Sequence, residues 1–402
     1  MRNKRFYLLL YLVIISCAKG VQHSPKKPNV LFILVDDLGW KDLGCYGSSF
    51  YETPNIDLLA SQSYRFTNAY SSNPVCSPTR ASIMTGKHPS RIGITDWITP
   101  EDSPSETWQK LRKNQKLICP ENRRALPLEE FTMAEALNTA GYPTFYAGKW
   151  HLGDEGFFPQ NQGFEVNKGG HMKGSPPGGY YTPYNNPQLE DGPEGEYLTD
   201  RLTNESIAFI EQNKENPFFL YLAFYTVHTP IQPNKKYLDK FTQKRKLLKD
   251  SLPIKIEERK AYTVQNQYNA AYASMVYALD QNVGRLIDKL KALNILENTL
   301  IIFTSDNGCL STIIGKSVYG RNAPTSVFPL RAGKGWAYEG GIRVPLIIKP
   351  PNDLEAKIID APANSMDYYP TILDYTGIGL NYEQHIDGIS LKPFLEGETR
   401  VT

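Results

Sequence analysis

The sequence predicts an α/β fold with a large, mostly parallel sheet flanked by helices. The first observation is a set of continuous apolar runs, rich in β-branched residues, that stop abruptly at polar residues. Such runs, without alternation, are typical of strands buried on both faces of a parallel sheet. The second observation is that segments of helical period lie between these runs, as expected for a β-α-β architecture. With 402 residues the chain can form one large core.

The N-terminal residues have the layout of an export signal. Three basic residues lie among the first five, and an apolar run from Phe6 to Ile15 precedes Ser16 and Cys17. The run is too short to span a bilayer, so we expect a secretory signal over residues 1–25. The residues before Cys17 also resemble a bacterial lipobox, whose cysteine is acylated; a plain signal peptide is the alternative. Either interpretation predicts export, to the periplasm or, with a lipid anchor at Cys17, to the outer membrane.

Three apolar runs end in residues that can bind ions or transfer protons. These predicted strands are NVLFILVDD (29–37), PFFLYLAFYTVHTP (217–230) and TLIIFTSDNG (299–308). Helices are predicted over 56–64, 132–141, 197–213 and 268–293. Ligands of open parallel sheets bind outside the carboxyl ends of the strands. We therefore expect the polar strand ends to meet at one edge, namely Asp36, Asp37, His228, Asp306 and Asn307.

The acidic strand ends predict a metal site. Asp36, Asp37, Asp306 and Asn307 supply carboxylate and amide oxygens, which suit a hard divalent cation such as Ca²⁺ or Mg²⁺. Without a cation, three acids at one edge would repel one another and one would stay protonated. The alternative for each motif alone is a turn, because Asp, Asn and Gly are common turn residues.

Basic residues accompany the predicted metal site. Lys149 and His151 in GKWHLG are two positions apart, so in an extended segment they would point to the same side. Lys334 lies in a glycine-rich loop, GKGWAYEGGIRVP, and Arg80 shares a helix face with Cys76 if the helix begins near Pro78. Each cation alone could be a solvated or structural residue. Together with two histidines they indicate a tetrahedral oxyanion substrate.

Cysteine usage and net charge exclude some classes of protein. Apart from Cys17, the cysteines at 45, 76, 119 and 309 are too widely spaced for a CxxC zinc site, and disulfides remain open. We expect the thiol of Cys76, near a helix N-terminus and Arg80, to have a lowered pKa. The net charge of +2 does not favour a nucleic-acid partner.

Two long segments, 98–127 and 168–197, are predicted to be ordered loops that face the substrate, and the second is rich in Gly, Pro and Tyr. Their aromatic residues suit stacking on sugar rings, with packing as the alternative. The aromatic residues considered are Trp97, which directly precedes the first loop, and Trp108, Tyr180, Tyr181 and Tyr184.

These motifs resemble the type I sulfatases, the formylglycine-dependent members of the alkaline phosphatase superfamily. CSPTRASIMTG is similar to the family signature C-x-P-x-R, and GKWHLG to its second signature. NVLFILVDDLG, HTP, SDNG and GKGWAYEGGIRVP occur in the family's order. The resemblance extends from about Asn29 to Glu396. It implies an alkaline phosphatase-like sulfatase fold and a sulfuric ester hydrolase of the arylsulfatase type.

The resemblance also implies a role for each site residue. Cys76 would be converted to Cα-formylglycine by a formylglycine-generating or anaerobic sulfatase-maturing enzyme, and its hydrate would be the nucleophile. One calcium ion would be held by Asp36, Asp37, Asp306, Asn307 and the modified residue 76. The remaining roles belong to basic residues. Arg80 and Lys149 would stabilise the hydrate, and His151 would take a proton from its second hydroxyl. Lys334 and His228 would bind the sulfate and help to protonate the leaving alcohol.

The resemblance leaves alternatives and one departure. A phosphodiesterase of the superfamily would need histidine ligands for zinc, and no aspartate here has a histidine four residues later. A phosphonate monoester hydrolase and a catalytically decayed glycan-binding protein stay open. Family members continue past DGISLKPFLEG into a small antiparallel subdomain, so we expect a catalytic domain over 26–397 and a truncated subdomain at 398–402. The expected substrate is a sulfated carbohydrate or another small sulfate ester.

Overall fold

A computed structural model describes residues 26–99, 116, 121–249, 253–258, 260–314, 323–352 and 355–397. The expected signal segment, Cys17, Trp108, Cys119 and the residues 398–402 lie outside the described ranges. Within these ranges, no helix combines the length and the apolar character that crossing a lipid bilayer requires.

The described chain contains two sheets. The strands are β1 (Asn29–Val35), β2 (Tyr64–Tyr70), β3 (Thr144–Gly148), β4 (Val166–Lys168), β5 (Phe219–Phe224), β6 (Lys255–Glu258), β7 (Ala261–Val264), β8 (Thr299–Ser305), β9 (Thr312–Ile314), β10 (Arg343–Lys349), β11 (Lys357–Ile359) and β12 (Ala363–Asn364). Nine strands form the large sheet in the order β11-β2-β10-β8-β1-β5-β3-β4, with β12 beside β2. Only β10 runs antiparallel to its neighbours β8 and β2, so the predicted mostly parallel sheet is confirmed. Strands β6, β7 and β9 form a small antiparallel sheet.

Helices cover both faces of the large sheet. They are α1 (Pro54–Ser61), α2 (Cys76–Thr85), α3 (Pro89–Ile92), α4 (Met133–Thr139), α5 (Leu198–Asn213), α6 (Lys235–Lys246), α7 (Ala270–Ala292), α8 (Glu339–Ile342), α9 (Tyr368–Thr376) and α10 (Lys392–Leu395). Three of the four predicted helices agree within two residues. The predicted helix over 56–64 is displaced, because Pro54 occupies the first turn of α1 and Tyr64 already belongs to β2.

Strand β1 lies at the centre of the core. Its residues Leu31, Ile33 and Val35 pack into an apolar cluster with α5 and α7, while the alternate residues pack into a second cluster with α2, α4 and α9. Burial on both faces explains why the run is continuously apolar. Val35 pairs with Ser305 of β8 on one side and Phe224 of β5 on the other. The residues that follow these three strands therefore emerge side by side.

Candidate active site

The ends of β1, β5 and β8 bring the predicted acidic residues and one predicted histidine together. The backbone N–H of Asp36 donates to the Thr226 carbonyl at 3.1 Å, and the N–H of Val227 donates to the Asp36 carbonyl at 2.8 Å. The N–H of Asp37 donates to Asp306 Oδ1 at 3.2 Å. These bonds hold the segments after the three strands together beyond the last paired residues of the sheet.

Asp37 has contacts from three directions. Its backbone is in the left-handed region with φ of 60°. Lys334 Nζ lies 2.6 Å from Oδ1 and 2.9 Å from Oδ2 of Asp37. Asn307 Nδ2 donates to Asp37 Oδ1 at 2.7 Å, and His228 Nε2 lies 3.7 Å from Asp37 Oδ2. The glycine-rich loop thus delivers Lys334 to the same edge as the strand ends.

Helix α2 brings Cys76 and Arg80 to this edge. The helix begins at Cys76, two residues before Pro78; Val75 is extended, and Pro78 lies in the first turn, where a missing N–H loses no helical bond. Cys76 Sγ lies 3.7 Å from Asp36 Oδ1. Arg80 Nε donates to Asp306 Oδ2 at 2.8 Å, and Nη1 donates to the Lys149 carbonyl at 2.6 Å. Every residue of α2 is buried.

Lys149 and His151 follow β3 but not in an extended segment. Gly148 ends the strand with φ of 101°, and a Cβ there would lie 1.9 Å from the Ala223 carbonyl oxygen, so glycine is required. Lys149 Nζ then donates to Asp36 Oδ1 at 2.9 Å and Oδ2 at 2.7 Å. His151 has φ of 60°. The extended geometry predicted for this pair is therefore wrong, although both side chains are buried at the site.

In each of the two site histidines, one ring nitrogen is bonded to a backbone carbonyl group and the other is not. His151 Nε2 lies 2.8 Å from the Ile98 carbonyl oxygen, and His228 Nδ1 lies 2.7 Å from that of Thr229. A carbonyl can only accept, so these nitrogens carry the protons and His151 Nδ1 and His228 Nε2 carry lone pairs. Burial, aided by Lys334, lowers the pKa of His228 to about 3. Burial, aided by Lys149, places the pKa of His151 well below its ordinary value.

Buried charges at the site balance one another. The carboxylates of Asp36, Asp37 and Asp306 face the cations of Arg80, Lys149 and Lys334. Burial raises the pKa of Asp36, and the ammonium group of Lys149, 2.7 Å from Oδ2, opposes the effect and favours the carboxylate. Burial would raise the pKa of the other two acids as well, but Lys334 holds that of Asp37 and Arg80 holds that of Asp306 below the usual range.

The thiol of Cys76 behaves differently from the sequence prediction. Burial raises its pKa to about 12, and the nearby lysines 149 and 334 only partly oppose this effect. The predicted lowering of the pKa is therefore wrong, because the helix N-terminus and the cations do not compensate for removal from water. Cys45, Cys76 and Cys309 are all free thiols.

The residues at the edge fit a metal ion. Among the described residues, Asp36, Asp37, Cys76 and His228 each offer a ligand atom within 4.8 Å of the others. Asn307 Oδ1 is buried and has no hydrogen-bond partner in the protein, which is the state expected of an oxygen that binds a cation. The oxygens of Asp306 are already engaged by Arg80 and by the N–H of Asp37. Its role as a ligand stays a prediction.

His228 was predicted only as a catalytic residue, yet it belongs to this possible ligand group. Its position just past β5, the strand beside β1, is the sequence signal that placed it at the edge.

The loop aromatics mostly do not face a ligand. Tyr180 and Tyr184 are buried, and the Tyr180 hydroxyl donates to the His228 carbonyl at 2.9 Å, so sugar stacking by these two residues is wrong. Tyr181 packs edge-on against Tyr197 with ring centroids 5.0 Å apart. Trp97 is 44% exposed and precedes Ile98, the residue bonded to His151. Trp97 alone among the described candidates keeps an open aromatic face.

The fold and site define a class of protein: an α/β protein with a mostly parallel sheet, whose buried, charge-balanced centre at the carboxyl edge of that sheet suits a metal ion and an oxyanion. The family model for Sulfatase matches residues 28–378. N-acetylgalactosamine-6-sulfatase of Canis lupus familiaris is 30% identical, over 96% of this chain and 70% of the relative's length. A Sulfatase of Formosa agariphila is 31% identical, over 98% of this chain and 76% of its own length.

Solved structures agree with these relatives. The crystal structure of Ps i-CgsB in complex with k-i-k-neocarrahexaose matches with a TM-score of 0.71 and 31% identity, over 93% of this chain and 77% of that protein. The chain belongs to the sulfatase family and is a sulfuric ester hydrolase. The resemblance of its motifs to type I sulfatases is confirmed.

Proposed function

We propose that this enzyme removes sulfate groups from a sulfated carbohydrate, with a nucleophile derived from Cys76 and one calcium ion. The observation that carries the proposal is the convergence of Cys76, three buried carboxylates, three cations and the unpartnered Asn307 Oδ1. A carbohydrate substrate is supported by relatives: one is named for N-acetylgalactosamine-6-sulfate chemistry, and one solved structure contains a neocarrahexaose.

Cys76 at the first position of α2 is the proposed site of conversion to formylglycine, by a formylglycine-generating or anaerobic sulfatase-maturing enzyme. When hydrated, formylglycine supplies a hydroxyl nucleophile, and calcium supplies the positive charge that makes such a hydroxyl reactive. Oxygen donors from Asp36, Asp37 and Asn307 surround the position, with Asp306 beside them, and such ligands favour calcium over softer metals. The high pKa of the unmodified thiol suits a residue that does not act as a thiolate.

The cations of the site would bind the substrate. Lys149, Lys334 and Arg80 are paired with the carboxylates of Asp36, Asp37 and Asp306. A divalent cation on those carboxylates leaves the site with excess positive charge, which favours a sulfate anion and the charge that develops on its oxygens. A sulfate ester loses hydration when it enters the buried site, so its negative charge must be compensated by positive charge there.

The histidines would move the protons. His151 has a lone pair on Nδ1, so it can accept a proton from a hydroxyl group on the modified residue 76. His228 presents Nε2 beside Asp37. A sulfate anion next to that nitrogen favours its protonation, and the protonated ring can donate to the leaving alcohol.

The test combines mass spectrometry with a substrate panel. The protein is coexpressed with a formylglycine-generating enzyme, and the tryptic peptide 66–80 is weighed. We expect a lower mass than the cysteine peptide and release of sulfate from sulfated saccharides, with Cys76→Ala inactive. An unmodified thiol in an active preparation contradicts the nucleophile, and turnover of phosphonate esters but not of sulfates contradicts the substrate class.

We also propose that the protein is exported and carries a lipid on Cys17, because the N-terminal residues resemble a lipobox. Labelled palmitate should be incorporated into the wild-type protein and not into Cys17→Ala in a bacterial host. Equal labelling of both proteins, or of neither, contradicts the anchor.

A further inference from the structure

His151 has a backbone conformation that needs support. Among the described residues, the non-glycine residues with positive φ are three asparagines and Asp37, His151 and Ala332. Asparagine, aspartate and histidine enter this region more often than other non-glycine residues, but the conformation is still uncommon, and Asp37, His151 and Ala332 lie in loops that form the site. Such a conformation persists only where the surrounding structure determines it. The neighbours of His151 are therefore informative.

The first neighbour is a bridge to the helix that carries Cys76. His151 Nε2–H donates to the Ile98 carbonyl at 2.8 Å, and the Ile98 N–H donates to Ser77 Oγ at 3.1 Å. All three residues are buried. The hydroxyl next to Cys76 thus holds the backbone of Ile98, and the carbonyl group of that residue selects the tautomer of His151. Through this bridge, ring orientation and nucleophile position depend on the same helix end.

The second neighbour is the loop that covers the ring. The His151 N–H donates to the His171 carbonyl at 3.1 Å, which fixes the loop to the backbone. Three residues later, a Cβ added to Gly174 would lie 2.5 Å from His151 Cε1 and 2.9 Å from both ring nitrogens. Gly174 does not have positive φ, so a turn conformation does not require glycine there. The close approach of the His151 imidazole is the reason that position 174 requires glycine.

We propose that Gly174 and Ser77 are positioning residues for His151. Gly174 lets the loop lie against the imidazole, and Ser77 holds Ile98 so that Nε2 keeps the proton and Nδ1 keeps its lone pair. The consequence for catalysis rests on the proposed function, in which Nδ1 accepts a proton from residue 76. The positioning itself does not, because all the contacts exist in the unmodified chain.

The direct test is the ring spectrum of His151 in the unmodified protein. The chain has six histidines, so long-range ¹H–¹⁵N correlation of ring-labelled protein is tractable, with His151→Ala for assignment. We expect the Nε2–H tautomer in the wild type and displaced or exchange-broadened His151 signals in Gly174→Ala and Ser77→Ala. The matched control is Gly379→Ala, whose added Cβ meets no atom within 4 Å at an ordinary φ. An Nδ1–H tautomer, or unchanged signals in Gly174→Ala, would overturn the proposal.

A double-mutant cycle covers the case in which Gly174→Ala is too unstable for spectroscopy. Thermal unfolding is compared for Gly174→Ala, His151→Ala and the double variant. If the added methyl group clashes with the imidazole, its effect on the midpoint should largely disappear once the ring is removed. An equal loss in both backgrounds would show that Gly174 acts on something other than His151, and would overturn the proposal.

Activity supplies the last measurement. In matured protein, checked by the mass of peptide 66–80, Gly174→Ala should lower kcat about 10- to 100-fold and change KM by less than about threefold, because the ring is misplaced and sulfate contacts remain. Gly379→Ala should match the wild type. A rise in KM at unchanged kcat contradicts positioning of the base. If the wild type hydrolyses no sulfate ester, the proposed function fails, while the spectrum and the cycle still decide the positioning.

Discussion

Two regions of the molecule bury carboxylates in opposite ways. At the contact of α1 and α7, Asp280 Oδ1 accepts the backbone N–H groups of Asn55 and Ile56, both at 2.9 Å, and Oδ2 accepts Asn55 Nδ2 at 2.7 Å. Thr53, at the N-cap position of α1, makes no side-chain cap. Asp280 therefore caps α1 from another helix, with neutral donors that satisfy its oxygens.

At the carboxyl edge of the sheet the partners are charged. Asp36 and Asp306 are bonded to Lys149 and Arg80, and Asn307 Oδ1 beside them is left without a partner. A structural carboxylate that is surrounded by neutral donors needs nothing further. Carboxylates held by cations, next to an unsatisfied oxygen, form a site that can exchange those cations for a metal ion and a substrate. The kind of partner, rather than burial, separates the two regions.

The largest expected effect comes from breaking one charged pair at the sheet edge. Asp306→Asn leaves the buried guanidinium of Arg80 without its closest anion, which should cost about 3 to 5 kcal/mol of stability. Urea unfolding in the presence of a chelator measures this loss. We also expect kcat/KM for a sulfate ester to fall about 100-fold or more, since Arg80 is no longer held in place. A loss of stability below about 1 kcal/mol contradicts the role given to this pair.

The next effect is stabilisation by calcium. At a concentration about 100 times its Kd, calcium should stabilise the wild type by about 2.7 kcal/mol. Asp37→Asn should abolish most of this gain because it removes a charged ligand, whereas Asp280→Asn should keep it. Unfolding midpoints with calcium and with chelator give the comparison. An equal response of Asp37→Asn and the wild type would remove the distinction between the two regions.

A smaller effect is expected in the structural region. Asp280→Ala removes the cap of α1 and should cost about 2 kcal/mol of unfolding free energy. It should leave kcat/KM within about twofold of the wild type, because no charged partner is released. The matched control is Asp288→Ala, an exposed acid on the same helix, with an expected change below about 0.5 kcal/mol. A tenfold loss of activity in Asp280→Ala contradicts this assignment.

The smallest effect concerns an acid at the surface. Arg91 donates to both oxygens of Asp387 at 2.9 Å, and this bonding holds the pKa of Asp387 below its usual value. Since the folded pKa is the lower one, the stabilisation is present above about pH 4 and is lost as the pH falls below it. Asp387→Asn should cost about 1 kcal/mol near pH 7. In urea titrations the difference should shrink below about pH 4; a constant difference contradicts the pairing.

Much of the fold could be predicted because its signals are local. The runs ending at Asp37 and Asn307 are buried on both faces, which leaves a continuous apolar pattern in the sequence. The end of α1 could not be predicted in the same way, because an apolar aromatic residue such as Tyr64 suits a buried position in either a helix or a strand. The pairing of β2 with β10 decides its state.

The candidate site shows the same division. Sequence alone determined which residues lie at the ends of neighbouring strands, since a parallel sheet aligns the carboxyl ends of its strands. Tertiary structure decided how each one behaves: the raised pKa of Cys76, the engagement of Asp306 by Arg80, the burial of Tyr180 and the contact of Gly174 with His151. Those properties depend on desolvation and on partners distant in sequence, and no local pattern encodes the distance between two segments that meet only after folding.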